Sequence, residues 1–91
     1  MKFITSYRSP NYDLRKSKGN IRYIILHYTA MRSLNKTIKL LCDHKSKVSS
    51  HYLVSKMGKI YQMVDEKNRA WHAGRGYWRG VKDINSYSIG I

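Results

Sequence analysis

Four histidines and five acids are the side chains best able to do chemistry in this chain, and their settings differ. His27 closes the run Ile21-Arg22-Tyr23-Ile24-Ile25-Leu26, where an apolar, β-favouring stretch turns polar and small in Tyr28-Thr29-Ala30. A run that barely alternates predicts a central strand covered on both faces, with His27 at or near its C-terminal end. The C-terminal end of such a strand is where open α/β sheets gather ligands. The plainer reading is a strand-end histidine satisfied by one hydrogen bond. His51 falls inside Val48-Ser49-Ser50-His51-Tyr52-Leu53-Val54 and reads as a sheet histidine bonded in place. His72 follows Trp71 in a segment that also holds Gly74, Gly76, Tyr77, Trp78 and Gly80. There the rings give contact area and the glycines let backbone approach, so the segment reads as a binding surface. His44 reads as a residue near a helix C-terminus, facing the dipole.

The elements that must position these residues follow from spacing. Residues 1–20 carry the turn signals Ser9-Pro10-Asn11 and Gly19-Asn20 and little periodicity, so an irregular lead-in is expected. After the first strand, Leu34, Thr37, Ile38, Leu41 and Cys42 recur every three to four residues behind a capping Ser33. That predicts an amphipathic helix from about Ser33 to about His44, its apolar stripe on one face of the sheet, with Met31 and Cys42 as core fillers. Val48 to Val54 and Ile60 to Val64, joined through Lys56-Met57-Gly58-Lys59, predict an antiparallel hairpin in which Gly58 supplies a positive φ. From Asp65 the chain reads as irregular until Ser88-Ile89-Gly90-Ile91, which looks like the start of another strand and suggests a truncated domain.

Composition limits the function classes. Ninety-one residues make one small domain with a modest core. A hydrophobic content of 42% with eight Tyr, two Trp and one Phe argues for a folded chain over a disordered one. Cys42 is the single cysteine and forms no internal disulfide. Residues 1–6 hold one positive charge and no apolar run behind it, so no signal peptide is expected, which places the chain as written in the cytoplasm. No apolar run is long enough to span a bilayer. Eighteen Lys and Arg against five Asp and Glu give a net charge of +13, a field that attracts polyanions. The lysines are scattered, which favours a generally basic surface over a dedicated nucleic-acid arm.

Five segments in order carry a resemblance: Ser9-Pro10-Asn11-Tyr12-Asp13-x-Arg15, Ile24-Ile25-Leu26-His27-Tyr28-Thr29-Ala30, Val48-Ser49-Ser50-His51-Tyr52, Ala70-Trp71-His72-Ala73-Gly74 and Asn85-x-x-Ser88-Ile89-Gly90-Ile91. Together they span nearly the whole chain, and the set resembles the N-terminal part of the type-2 N-acetylmuramoyl-L-alanine amidases, whose fold is shared with peptidoglycan recognition proteins. The resemblance implies an α/β fold, a mixed central sheet flanked by helices and truncated at the C-terminus. In it, residues 21–91 form the N-terminal part of a single amidase-like domain behind the lead-in 1–20.

The implied reaction is cleavage of the amide bond between N-acetylmuramic acid and L-alanine of the peptidoglycan stem peptide. An amide is a poor electrophile. The family sets a zinc ion on three protein ligands beside it, which polarises the carbonyl and lowers the pKa of a bound water towards about 7. His27 matches the first of those ligands. The family's other two, and a glutamate that assists proton transfer, match no residue of this chain, the glutamate falling just after Ile91; no catalytic residue is therefore expected within it. His72, Asn85, Trp78 and Tyr28 match positions that line the substrate site. The implied partner is peptidoglycan or a muropeptide, with a separate C-terminal polypeptide as a complement. A substitute cage from His27, His51 and His72 would lack a carboxylate, since the acids are Asp13, Asp43, Asp65, Glu66 and Asp83. Two alternatives stand beside hydrolysis: a non-catalytic muropeptide-binding fragment, and a small basic nucleic-acid binder whose rings stack on bases while its lysines meet phosphates.

Overall fold

The structure, a computed structural model, describes residues 2–15, 21–27, 33–73, 77–78 and 81–91, with 77–78 and 81–82 described by their backbone alone. Within these residues the chain runs β1 (Phe3–Ile4), β2 (Tyr12–Leu14), β3 (Tyr23–Ile25), α1 (Leu34–Leu41), β4 (Tyr52–Val54), β5 (Ile60–Gln62), β6 (Asn68–Ala70), β7 (Tyr77–Trp78), β8 (Val81–Lys82), a 3-10 helix (Ile84–Tyr87) and β9 (Ser88–Gly90). It is a mixed α/β arrangement. Three strands form the ladder β1-β5-β4, parallel between β1 and β5 and antiparallel between β5 and β4, while β3 and β9 pair in parallel.

Residue 51 joins these two ladders through its backbone. Its N–H donates to Gly90 O at 3.0 Å, and its carbonyl accepts from Met63 N at 2.8 Å. Every strand among the described residues is two or three residues long, so long-range partners decide where strands form. Phe3 pairs with Ile60, and Tyr12 lies opposite Ala70 in the antiparallel β2-β6 pair. The stretch expected to be an irregular lead-in therefore contains two strands, and the stretch after Asp65 contains β6, β7 and β8.

The helix forms for the expected reasons. Ser33 is extended (φ −102°, ψ 125°), and its hydroxyl accepts from Lys36 N at 3.3 Å. An eight-residue helix is marginal alone, so burial of one face must hold it. Ile38 packs with Leu53, Tyr61 and Met63, and Leu34, Leu41, Cys42 and Ile4 close the edges of this cluster. α1 ends at Leu41, three residues short of the expected limit, so His44 lies in the turn beyond it. Met31 lies outside the described residues. Replacing Ser33 by alanine should remove the cap and cost about 1 kcal/mol in urea unfolding.

The first strand departs from expectation. β3 covers only Tyr23–Ile25, and Ile24 and Leu26, on one face, are 67% and 76% exposed. The other face, Tyr23 and Ile25, is half-buried, so β3 is not covered on both sides. Gly58 takes the expected positive φ, 83°, in the β4-β5 turn.

The motif around Ser9, Asn11 and Arg15 proves to be scaffold. Asn11, 2% exposed, donates through Nδ2 to Asp43 O and Val48 O, both at 2.9 Å, and so fastens β2 to the chain after α1. The Ser9 hydroxyl donates to Leu41 O. Arg15, 8% exposed, donates to Glu66 O at 2.9 Å and to Asn85 O and Ser86 O at 3.1 and 3.0 Å. A buried guanidinium is tolerated because carbonyls satisfy its donors.

Candidate functional site

The parallel pairing of β3 with β9 continues past both strands, to His27 and Ile91. Ile91 N donates to Ile25 O at 3.0 Å, and His27 N donates to Ile91 O at 2.8 Å. This fixes the backbone of His27 at the C-terminal end of the sheet, where its side chain is exposed. His72 arrives there from the loop after β6. Its backbone N–H and that of Ala73 donate to Asn85 Oδ1 at 3.2 and 2.9 Å. The two rings meet: His27 Nε2 and His72 Nδ1 are 2.8 Å apart, with ring centroids at 4.9 Å and planes at 75°.

Behind the pair lies a polar floor. His72 Nε2 is 3.0 Å from Ser88 Oγ, whose hydroxyl donates to Ile84 O at 2.8 Å. His51 lies below with no exposed surface. Gly90 N donates to its Nδ1 at 3.1 Å, so the ring's hydrogen is on Nε2, which donates to Asn68 O at 2.8 Å. Arg15 Nη2, 3.0 Å from the same Nε2, therefore faces an N–H and not a lone pair. His51 is the bonded sheet histidine that its strand context suggested.

The electrostatics keep these rings neutral. Burial lowers the pKa of His27; it lowers that of His51 as well, with Arg15 adding to the effect and the Asn68 carbonyl and Glu66 opposing it. Burial chiefly, then the neighbouring His27, His51, Arg15 and Arg69, push His72 down to about 3.

The pair opens onto a groove of about 1150 Å³ between α1 and the β4-β5 hairpin, lined by Leu26, Trp71, Ile91, Leu41, Leu53 and Tyr52 among others. The Trp71 indole nitrogen is buried with no acceptor among the described residues. The Tyr52 hydroxyl donates to Glu66, and burial together with that carboxylate pushes its pKa up to about 12. Tyr52 is thus a hydrogen-bonding group of the groove wall and not a base.

The five acids are engaged elsewhere. Asp13 and Asp83 bind Arg69, Asp65 binds Arg8, Glu66 accepts from Tyr52, and Asp43 accepts from Lys45 N. Among the described residues no group of three His, Cys, Asp or Glu side chains could hold a metal ion. His27 and His72 offer two nitrogens, and a zinc cage needs three or four protein ligands. The described residues alone therefore do not make one.

Of the residues expected at the substrate, His72 stands beside His27 on the groove. Asn85 is 5% exposed, and its side-chain oxygen accepts from the backbone N–H groups of His72 and Ala73. Trp78 lies on β7, described by its backbone, and Tyr28 lies outside the described residues. Ser88 and Arg15 were not legible residue by residue, because the bonds that matter, Ser88 to His72 and Arg15 to Ser86, join positions 16 and 71 residues apart. Their only signal was membership of the quoted segments.

Known proteins share this chain's sequence pattern and its fold. The family model described as N-acetylmuramoyl-L-alanine amidase matches residues 17–91. N-acetylmuramoyl-L-alanine amidase AmiD of Escherichia coli K12 is 42% identical over 78 residues, 78% of this chain and 27% of AmiD. N-acetylmuramoyl-L-alanine amidase A of Achromobacter lyticus is 36% identical over 84 residues, 91% of this chain and 41% of the relative. The crystal structure of a selenomethionine AmpD derivative superposes with a TM-score of 0.82 at 27% identity, over 99% of this chain and 60% of that one. The chain thus spans between about a quarter and three-fifths of the length of these proteins.

Proposed function

The chain belongs to the N-acetylmuramoyl-L-alanine amidase family, and from that premise we propose that it serves cleavage of the amide bond between N-acetylmuramic acid and L-alanine in peptidoglycan or a muropeptide. The observation that carries this reading is the His27-His72 pair at the C-terminal end of β3, open to a groove large enough for a muramyl peptide. His27 is the proposed zinc ligand. Zinc, when bound, supplies an activated water and a polarised carbonyl.

The work proposed for the chain's own groups is binding and orientation. Leu26, Trp71 and Ile91 offer apolar contact beside the pair, and His72 sets the His27 ring. The +13 charge of the chain favours encounter with an anionic wall polymer. Since the described residues provide no three-ligand set, muropeptide binding without turnover is the second reading. Among the described residues no helix is long and apolar enough to cross a membrane.

Zinc content and release of the L-alanyl peptide from a muramyl peptide, measured together, test the proposal. Saturable binding that is lost in His27→Ala and kept in His44→Ala is expected. Stoichiometric zinc with turnover extends it to hydrolysis by the chain itself. No muropeptide binding, with salt-resistant and sequence-dependent DNA binding instead, overturns it in favour of a nucleic-acid protein.

A further inference from the structure

We propose that His72, with Ser88 behind it, is a positioning residue that sets the tautomer of His27 and leaves its Nδ1 as the nitrogen with a free lone pair. Ile84 O only accepts, and Ser88 Oγ lies 2.8 Å from it, so the one hydroxyl hydrogen is directed there. Towards His72 Nε2, at 3.0 Å, the Ser88 oxygen can then only accept, and that nitrogen carries an N–H. A neutral imidazole has a single N–H, so His72 Nδ1 is an acceptor. Its partner at 2.8 Å, His27 Nε2, must donate. The hydrogen of the His27 ring is thereby held on Nε2. Nδ1 is the atom presented to a cation or to a donor on a ligand. This is the general logic by which an outer partner fixes the tautomer of a ligating histidine.

The relay is anchored at each link. Ser88 has no exposed surface, and its strand pairs with β3 at Tyr23. Asn85 holds the His72 backbone. Gly90 makes room for the ring: a Cβ there would lie 2.5 Å from His72 Cγ and 2.6 Å from Cδ2, closer than any real contact. Residue 90 is therefore small because the His72 ring lies against the strand at that point.

The inference builds on His27 as the site residue, but its test reads ring nitrogens in the ligand-free 91-residue chain, so it can fail independently of the amidase reading. Long-range ¹H–¹⁵N correlation spectra near neutral pH should show both rings protonated on Nε2. A scalar coupling between His27 Nε2 and His72 Nδ1 across the hydrogen bond should accompany it. Gly90→Ala, which displaces the His72 ring, and His72→Ala should both abolish that coupling and let His27 populate the Nδ1–H form. His72→Gln, whose side-chain carbonyl can accept the same hydrogen, should restore the single tautomer. Absence of the coupling in the wild type overturns the proposal whether or not a variant folds. An unchanged His27 tautomer in well-folded His72→Ala overturns it as well.

Discussion

His51→Ala should leave the chain at the edge of unfolding, with a loss of about 4 kcal/mol or more in urea denaturation. The ring has no exposed surface and sits where the β3-β9 and β1-β5-β4 ladders join. Its removal strips Gly90 N of its acceptor and Asn68 O of its donor. Orphaning the buried Gly90 N costs about 1–3 kcal/mol, the half-buried Asn68 O adds less, and the vacated volume adds the cavity penalty seen in other large-to-small changes, about 2 kcal/mol or more. A domain of this length has about 5–14 kcal/mol in total. His44→Ala is the control: its side chain is 75% exposed, with a 4.0 Å contact to Asp43, so a change within about 0.5 kcal/mol is expected. Equal stability of the two variants would show that His51 is not a structural pin.

Acid should unfold the chain through the same residue. The folded-state pKa of His51 lies below its ordinary 6.5, chiefly because the ring is buried, with Arg15 also opposing its protonation while Asn68 O and Glu66 favour it. A ring that resists protonation when folded but accepts it when unfolded gives stability that is fully present above about pH 6.5 and declines as pH falls below it. The limiting slope is about 1.4 kcal/mol per pH unit for each ring held neutral. His72, held at about 3, faces the same penalty over a wide range. The urea midpoint should therefore be level from about pH 8 to about pH 7 and drop steeply towards about pH 4. A level midpoint across that whole range would mean that both rings accept a proton in place.

The sequence made some of this legible and hid the rest for identifiable reasons. α1 was readable because Leu34, Ile38 and Leu41 repeat at the helical period behind a serine cap, and the β4-β5 hairpin because Gly58 marks its turn. β1 and β2 were not. Strands of two and three residues carry no period of their own and exist because Phe3 and Tyr12 find partners 57 and 58 positions away. The run before His27 looked like a doubly covered strand, since periodicity reports how apolar a segment is and not whether anything lies over it; Ile24 and Leu26 are exposed.

The candidate site divides in the same way. His27 and His72 were each visible as a residue type in a telling context, but their contact spans 45 positions and depends on β9 lying beside β3. Asn85 is expected at the substrate, and its side-chain oxygen accepts from the His72 and Ala73 backbone in the loop. Polar residues with such roles are hard to separate by type alone, because an amide serves a backbone N–H as readily as a ligand.

Everything functional rests on the groove beside His27 and His72 being where a muropeptide binds. Titrating the ¹⁵N-labelled chain with an N-acetylmuramoyl-L-alanyl peptide and following amide and ring shifts tests this directly. Saturable shifts concentrated at Leu26, His27, Trp71, His72 and Ile91 are predicted. Shifts confined to the smaller cavity at Arg8, Ser9 and Tyr12, or no saturable shift at either place, would contradict it.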